Sequence, residues 1–362
     1  MTENYNIVII GGGPAGLSAA VEASKYTDKI LVVDENPTPG GQLSKQTHKF
    51  FGSKNHYAST RGVNICSTLI NSIDKNKVKY MGQTSAVGFY KPDNIVLETE
   101  EKLISVKAHK FIFATGAMEN MVSFENNDLP GIYGAGAVQT LMNLYGVKPA
   151  DKVLMIGAGN IGLIVSYQLM QAGVKIAGVV EAAPGIGGYH VHAAKLRRMQ
   201  VPIYTSHTIL GAYGKESVEK AVICEVGSDW QPVSGTEKEI NVDTICLAVG
   251  LTPSVELLHQ AGCGIKYAKE LCGYVPLHDK YMETTVPGIF VAGDASGIEE
   301  ASAAMLEGRM AGLKAAYDIE KFNRSEFINE VEHIEFELKS LRTGPFGEKA
   351  ASGKKKIFLE ER

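Results

Sequence analysis

Ile7-Val8-Ile9-Ile10-Gly11-Gly12-Gly13-Pro14-Ala15-Gly16 opens the chain, and Val153-Leu154-Met155-Ile156-Gly157-Ala158-Gly159-Asn160-Ile161-Gly162 repeats its pattern 146 positions later. In both, an apolar run meets a Gly-x-Gly-x-x-Gly turn. A second apolar run follows: Ile30-Leu31-Val32-Val33 ends in Asp34, and Ile176-Ala177-Gly178-Val179-Val180 ends in Glu181. Each copy reads as strand, tight turn, helix, strand, acid. One glycine turn alone is weak evidence of a ligand; two complete copies point to dinucleotide binding.

The order has physical reasons. The first glycine makes the turn, the second lets backbone amides approach a pyrophosphate, and the third lets helix and strand pack closely. The helix N-terminus then presents unpaired N–H groups and its positive dipole end to the anion. An acid about 20 residues on can accept ribose hydroxyls; here Asp34 and Glu181 lie 18 and 19 residues past the third glycine. The candidate binding residues are Gly11, Gly13, Pro14, Ala15, Gly16, Asp34 and Glu35 in the first copy. In the second they are Gly157, Gly159, Asn160, Ile161, Gly162 and Glu181.

Composition fits an ordinary globular enzyme. The 362 residues allow two domains, and 44% hydrophobic residues can fill their cores. A net charge of −4 argues against nucleic acid or an anionic membrane as partner. No apolar run approaches the 18 residues of a membrane span. The chain enters its first strand directly after Met-Thr-Glu-Asn-Tyr-Asn, so no signal peptide is expected and a cytoplasmic location is. Cys66, Cys224, Cys246, Cys263 and Cys272 never form C-x-x-C, which argues against a redox dithiol or a conventional metal or iron–sulfur cluster. His190-Val191-His192 has no acid or cysteine at ligand spacing, so no metal is expected.

Phe111-Ile112-Phe113-Ala114-Thr115-Gly116 and Ile245-Cys246-Leu247-Ala248-Val249-Gly250 are apolar strands ending in small residues. They bracket the second fingerprint and read as crossings between domains. The expected fold is α/β: two Rossmann-like three-layer nucleotide-binding domains, the second (121–253) inserted into the first (1–120 and 254–328), with a C-terminal helix and flexible tail over 329–362. After Pro253 comes the strand Gly288-Ile289-Phe290-Val291-Ala292-Gly293-Asp294, then a long helical pattern from about Glu299 to Phe322.

With these landmarks in this order, residues 5 to 322 resemble two-dinucleotide-binding flavoproteins of the thioredoxin reductase-like class. The resemblance implies FAD at the first fingerprint, a nicotinamide nucleotide at the second, and a late Gly-Asp, here Gly293-Asp294, whose carboxylate serves the ribityl chain. Pro39-Gly40-Gly41-Gln42-Leu43 matches the Gly-Gly-Gln loop beside the flavin, and Ala301 with Gly308 matches the flavin-facing final helix. Gly40, Gly41 and Gln42 would flank the ring, and the backbone near Glu300 and Ala301 would face flavin N1 and O2. Val87, Thr115 and Gly116 complete the set assigned to the first site.

One departure narrows the function. Thioredoxin reductases carry a dithiol in the inserted domain and this chain has none, so disulfide reduction is not expected. Ala114-Thr115-Gly116-Ala117-Met118-Glu119-Asn120, Phe124 to Ile132 and Gly134-Ala135-Gly136-Ala137-Val138-Gln139 resemble the large subunits of heteromeric amine and imino-acid dehydrogenases, those of sarcosine, octopine, proline and cyanide-forming glycine oxidation. Many members of that group carry a cysteine-rich segment for a [2Fe–2S] cluster that is lacking here. The resemblance thus implies an oligomer, with a second flavoprotein or a ferredoxin-like iron–sulfur protein as partner.

The expected chemistry is hydride exchange between a nicotinamide and FAD. NAD is expected ahead of NADP, because Glu181 would repel a 2′-phosphate and no arginine directly follows it. Arg197 and Arg198 on the next helix are able to blunt this. No nucleophile or paired acid stands out, so no catalytic base is assigned; Lys45 and His48 either approach the ring or are surface charges. Glu330 to Leu341 reads as an amphipathic helix, and the charged stretch after Arg342 as a flexible tail or as a segment that docks Ile357, Phe358, Leu359 and the lysine run on an acidic partner. Two functions stay open. One is a component of a larger complex whose substrate chemistry sits on another chain, either exchanging hydride or relaying electrons past a structural nucleotide. The other is a free-standing NAD(P)H-dependent flavin reductase with a ferredoxin or dye acceptor.

Overall fold

A computed structural model describes residues 3–359, leaving Glu360–Arg362 of the expected tail outside the described residues. It separates into two compact units. One joins the chain up to Met118 with the chain from Thr252 onward; the other is Glu119–Leu251.

The first unit is organised by Glu3–Ile10, whose Ile7 to Ile10 are buried because the strand is covered on both faces. It pairs in parallel with Ile30–Val33 on one side and with Leu103–Phe113 on the other. Val78–Met81 and Ile289–Val291 extend this parallel array. Thr84–Tyr90 and Asn94–Thr99 add an antiparallel hairpin to the early half of Leu103–Phe113. Two helices, Pro14–Ser24 and Ala301–Glu320, pack in backbone contact: a Cβ on Gly308 would sit 2.0 Å from the Ala15 carbonyl oxygen, and one on Gly312 2.3 Å from that of Ala19. Only glycine permits this approach.

The second unit holds a parallel sheet in the order Ile203–Thr205, Lys175–Glu181, Lys152–Ile156, Thr244–Leu247, Ile132–Gly134. Helices Ala135–Asn143, Asn160–Gln171 and His190–Arg198 accompany it. A three-stranded antiparallel sheet, His207–Tyr213, Lys220–Glu225 and Lys238–Asn241, shares the core of Leu154, Ile156, Val180, Ile209 and Ile223. The fold class is therefore mixed α/β with parallel nucleotide-type sheets in both units.

The C-terminal segment differs from the expected flexible tail. Helix Arg324–Leu341, capped by the Asn323 side chain, is followed by a further helix, Gly344–Ile357. Ile357 is fully buried against Ala268, Leu271 and Val275. Lys354 is buried, Lys356 pairs with Glu270 at 2.5 Å, and the Leu359 N–H donates to the His278 carbonyl at 2.9 Å. Lys354 and Lys356 therefore meet acids of this chain, Glu307 and Glu270. A local excess of charge read as disorder because the partners lie far away in sequence.

Candidate functional site

The two glycine turns are built alike. Gly11 N–H donates to the Val33 carbonyl at 2.8 Å and Ala114 N–H to that of Ile10 at 2.8 Å; Gly157 N–H donates to Val180 at 2.7 Å and Ala248 N–H to Ile156 at 2.7 Å. Gly11 and Gly157 have φ of 106° and 108°, in the region that favours glycine. A Cβ on either would fall 2.2 Å from a carbonyl oxygen, of Ala114 and Ala248 respectively. The third glycines are as tightly constrained: a Cβ on Gly16 would lie 1.8 Å from the Gly11 oxygen, and on Gly162 2.1 Å from the Gly157 oxygen.

The middle glycines are different. A Cβ on Gly159 would meet nothing within 4 Å, and one on Gly13 only the Gly41 Cα at 3.9 Å. Both have ordinary extended backbone, φ −71° and −78°, at the N-caps of Asn160–Gln171 and Pro14–Ser24. Neither N-cap carries a side-chain hydrogen bond. The protein has no steric need for glycine at these positions, and a ligand backed against the helix N-terminus does.

Each acid is held by the turn it follows. Asp34 Oδ2 accepts the Gly12 N–H at 2.5 Å, and its Oδ1 accepts the Asn36 N–H and Nδ2, both at 2.8 Å. Glu181 Oε2 accepts the Ala158 N–H at 2.8 Å and its Oε1 the Ala183 N–H at 3.0 Å. Both carboxylates thus stand beside their glycine turns in fixed orientations. Glu35, next in chain, is exposed.

Gly40 and Gly41 close over the first turn. Gly40 N–H donates to the Gly12 carbonyl at 2.8 Å, and a Cβ on Gly41 would come within 2.8 Å of the Gly13 Cα. The second unit has a counterpart that is not among the residues expected from the sequence. Gly187 and Gly188 donate to the Ala158 carbonyl at 3.1 and 2.9 Å, and a Cβ on Gly188 would lie 2.8 Å from the Asn160 nitrogen. The signal was present: Pro-x-x-Gly-Gly begins three residues after the acid in both halves, as Pro37 to Gly41 and Pro184 to Gly188. The Asn160 side chain is engaged within this loop, accepting the Tyr189 N–H at 2.8 Å. Ile161 is exposed beside it.

Other first-site residues gather around the Gly11–Gly16 turn. Gly293 has φ 71°, and a Cβ there would fall 2.9 Å from that of Ala15. Asp294 follows it, half-buried; burial, with Glu307 and Glu299 adding, pushes its carboxyl up to about 6, against a pull from the Glu299 backbone N–H. Glu300 is the exposed N-cap of Ala301–Glu320, so the N–H groups of the first helical residues precede the helix's own hydrogen-bond ladder. The backbone of Thr115 lies beside Gly11, its hydroxyl donates to the Ser254 carbonyl at 2.7 Å, and Gly116 (φ 72°) has open space around it. Gln42 is exposed at the start of the short 3-10 turn Gly41–Lys45, and His48 follows that turn. Val87 is 44% exposed on the hairpin strand, at its bulge.

All five cysteines are free. Burial pushes the thiols of Cys66, Cys224, Cys246 and Cys263 upward, away from the reactive thiolate. Among the described residues no group of three or more His, Cys, Asp or Glu is placed to hold a metal, and no helix is long and apolar enough to cross a membrane.

Comparison with known proteins agrees with this geometry. The chain is 30% identical to a subunit of opine oxidase from Agrobacterium tumefaciens, over 88% of this chain and 67% of that protein. It is 26% identical to the HcnB subunit of hydrogen cyanide synthase from Pseudomonas protegens, over 86% of this chain and 70% of the relative. It is 25% identical to the alpha subunit of sarcosine oxidase from a Corynebacterium, over 86% of this chain but 32% of the relative. The chain thus spans between about a third and about seven tenths of the length of these relatives. Among solved structures, thioredoxin reductase of T. acidophilum superposes with a TM-score of 0.70 at 20% identity, covering 87% of this chain and 99% of that one. L-Proline dehydrogenase of P. horikoshii gives 0.66 at 24%, covering 92% and 60%. Residues 5–308 match the pyridine nucleotide-disulphide oxidoreductase family, and with that match spanning both glycine turns the chain belongs to this family of oxidoreductases.

Proposed function

We propose that the first site holds FAD, the second NAD(H), and that the chain passes hydride between them as one component of an amine or imino-acid dehydrogenase-type complex. The observation that carries this reading is the pair of middle glycines, Gly13 and Gly159, which leave room that the protein itself does not use. A bound flavin accepts a hydride as a pair and releases electrons singly, whereas a nicotinamide exchanges hydride only.

The chain's own residues supply position and field. The N-termini of Pro14–Ser24 and Asn160–Gln171 offer N–H groups to a pyrophosphate. Asp34 and Glu181, each oriented by two or more donors, accept ribose hydroxyls. Asp294 accepts from a polyol chain, and the N-terminus of Ala301–Glu320 favours negative charge at the ring edge. Glu181 also sets the nucleotide: a fixed carboxylate repels a 2′-phosphate, Ala182 and Ala183 follow it, and Arg197 and Arg198 are exposed at the far end of His190–Arg198.

The reading as one component of a complex is supported by relatives that are themselves named as subunits and by five unpaired cysteines, four of them buried, which form no dithiol for the disulphide chemistry of the family name. A cytoplasmic location fits it. Anaerobic addition of NADH tests it: the flavin bleaches, dyes turn over slowly, and amine or imino-acid oxidation arises only with a partner chain. Steady oxidation of sarcosine, proline or an opine by the single chain overturns the part that requires a partner. A flavin untouched by NADH and NADPH overturns the hydride part and leaves electron relay.

A further inference from the structure

Glu307 is fully buried, and its two oxygens face different parts of the molecule. Oε2 accepts the Gly293 N–H at 3.0 Å and lies 2.6 Å from the Ser296 hydroxyl. Oε1 is bound by Arg342 Nη2 at 2.6 Å and Lys354 Nζ at 2.7 Å. Lys354, itself buried on helix Gly344–Ile357, also donates to the Ser296 carbonyl at 3.0 Å and to its hydroxyl at 2.6 Å. Arg342 forks onto Glu299 at 2.8 and 3.0 Å. The C-terminal cations therefore grip both ends of the turn Gly293–Ser296, which carries Asp294 and leads into the helix beginning at Ala301.

We infer that Lys354 and Arg342 are positioning residues for the first nucleotide site, acting through Glu307 and Ser296 to hold the Gly293-Asp294 turn against Ala15. This rests on the reading of the first site as an FAD site. Burial alone would raise the Glu307 carboxyl, and Lys354 with Arg342 overcomes that and holds it well below the usual range. Ionised, it keeps the Gly293 amide and the Ser296 hydroxyl anchored. The same turn has no slack elsewhere: a Cβ on Gly297 would lie 2.8 Å from Leu271, and one on Gly353 of the C-terminal helix would lie 2.6 Å from that same side chain. A segment whose composition suggests disorder thus sets the geometry of a binding turn more than 50 residues before it.

The test uses the full-length chain and FAD as probe. Lys354→Met leaves Arg342 on Glu307, so the core keeps a counter-charge; Ser296→Ala removes one hydroxyl and guards against a variant that fails to fold. Both variants are expected to weaken FAD binding about tenfold, with Lys354→Arg restoring most of the loss and affinity for NADH unchanged. Hydrogen exchange of the Gly293 amide is expected to speed up at least tenfold in Lys354→Met without ligand. In an Asp294→Ala background Lys354→Met should cost no further FAD affinity, because both act through one turn. Equal FAD affinity in wild type and both variants, or a full additional loss in the double variant, overturns the inference while leaving the FAD site intact. A wild-type chain without FAD affinity overturns the reading beneath it.

Discussion

Gly308 presses on Ala15 so closely that a single added methyl carbon would stand 2.0 Å from the Ala15 carbonyl oxygen. Since Ala15 lies inside the first glycine fingerprint, in the first turn of Pro14–Ser24, the approach of these two helices and the shape of the first site are one geometric fact. Gly308→Ala must push backbone apart, at about 1–3 kcal/mol of stability. Chemical unfolding should show that loss, while Gly185→Ala, where a Cβ meets nothing within 4 Å, should show none.

The middle glycines make the opposite prediction. Gly13→Ala and Gly159→Ala fit their backbone and available space, so both variants should unfold within about 0.5 kcal/mol of wild type. Their cost falls on ligands: at least about tenfold in FAD affinity for Gly13→Ala and in NADH affinity for Gly159→Ala, some 1.4 kcal/mol. Titration of each variant with both nucleotides checks it, and unchanged binding in both would remove the main support for the proposed sites.

The two acidic assignments separate by cofactor. Asp294→Ala should loosen FAD by about tenfold to a hundredfold, the 1.5–3 kcal/mol of a lost charge-assisted hydrogen bond, and Glu181→Ala should not. Glu181→Ala should instead narrow the preference for NADH over NADPH. Equal FAD loss in both variants would mean that the sites are exchanged.

A pH dependence follows from His278. Burial, then the charge of Lys354, lowers its pKa from 6.5 to about 4, while Nδ1–H donates to the Asp279 carbonyl at 2.8 Å. The folded chain refuses a proton that the unfolded chain accepts, so this contribution to stability is full above about pH 6.5 and is lost as pH falls toward 4. The integrated effect is at most about 3 kcal/mol. His278→Gln should flatten the wild-type decline over that range in urea unfolding at pH 7 and pH 4.5; parallel decline in both proteins would contradict it.

Local chemistry made the site legible. Gly11, Gly16, Gly157 and Gly162 announce themselves because the clashes that require them lie within a strand–turn–helix unit or on its neighbouring strand, and the fold class follows from their repetition. Gly187 and Gly188 are equally legible, because the spacing after Glu181 repeats the spacing after Asp34. The helix Gly344–Ile357 was not. Lys354, Lys355 and Lys356 in sequence look solvated, and nothing local shows that Lys354 meets Glu307 and Ser296, or that Ile357 fills a pocket beside Leu271. Burial of a charge is a property of its distant partner, which single-sequence patterns do not carry.

The most direct measurement is the identity of what the purified full-length protein releases on denaturation, read by absorbance and mass spectrometry. The expected result is a yellow protein that gives up one non-covalently held FAD per chain. No flavin, or FMN alone after attempted reconstitution, would contradict it.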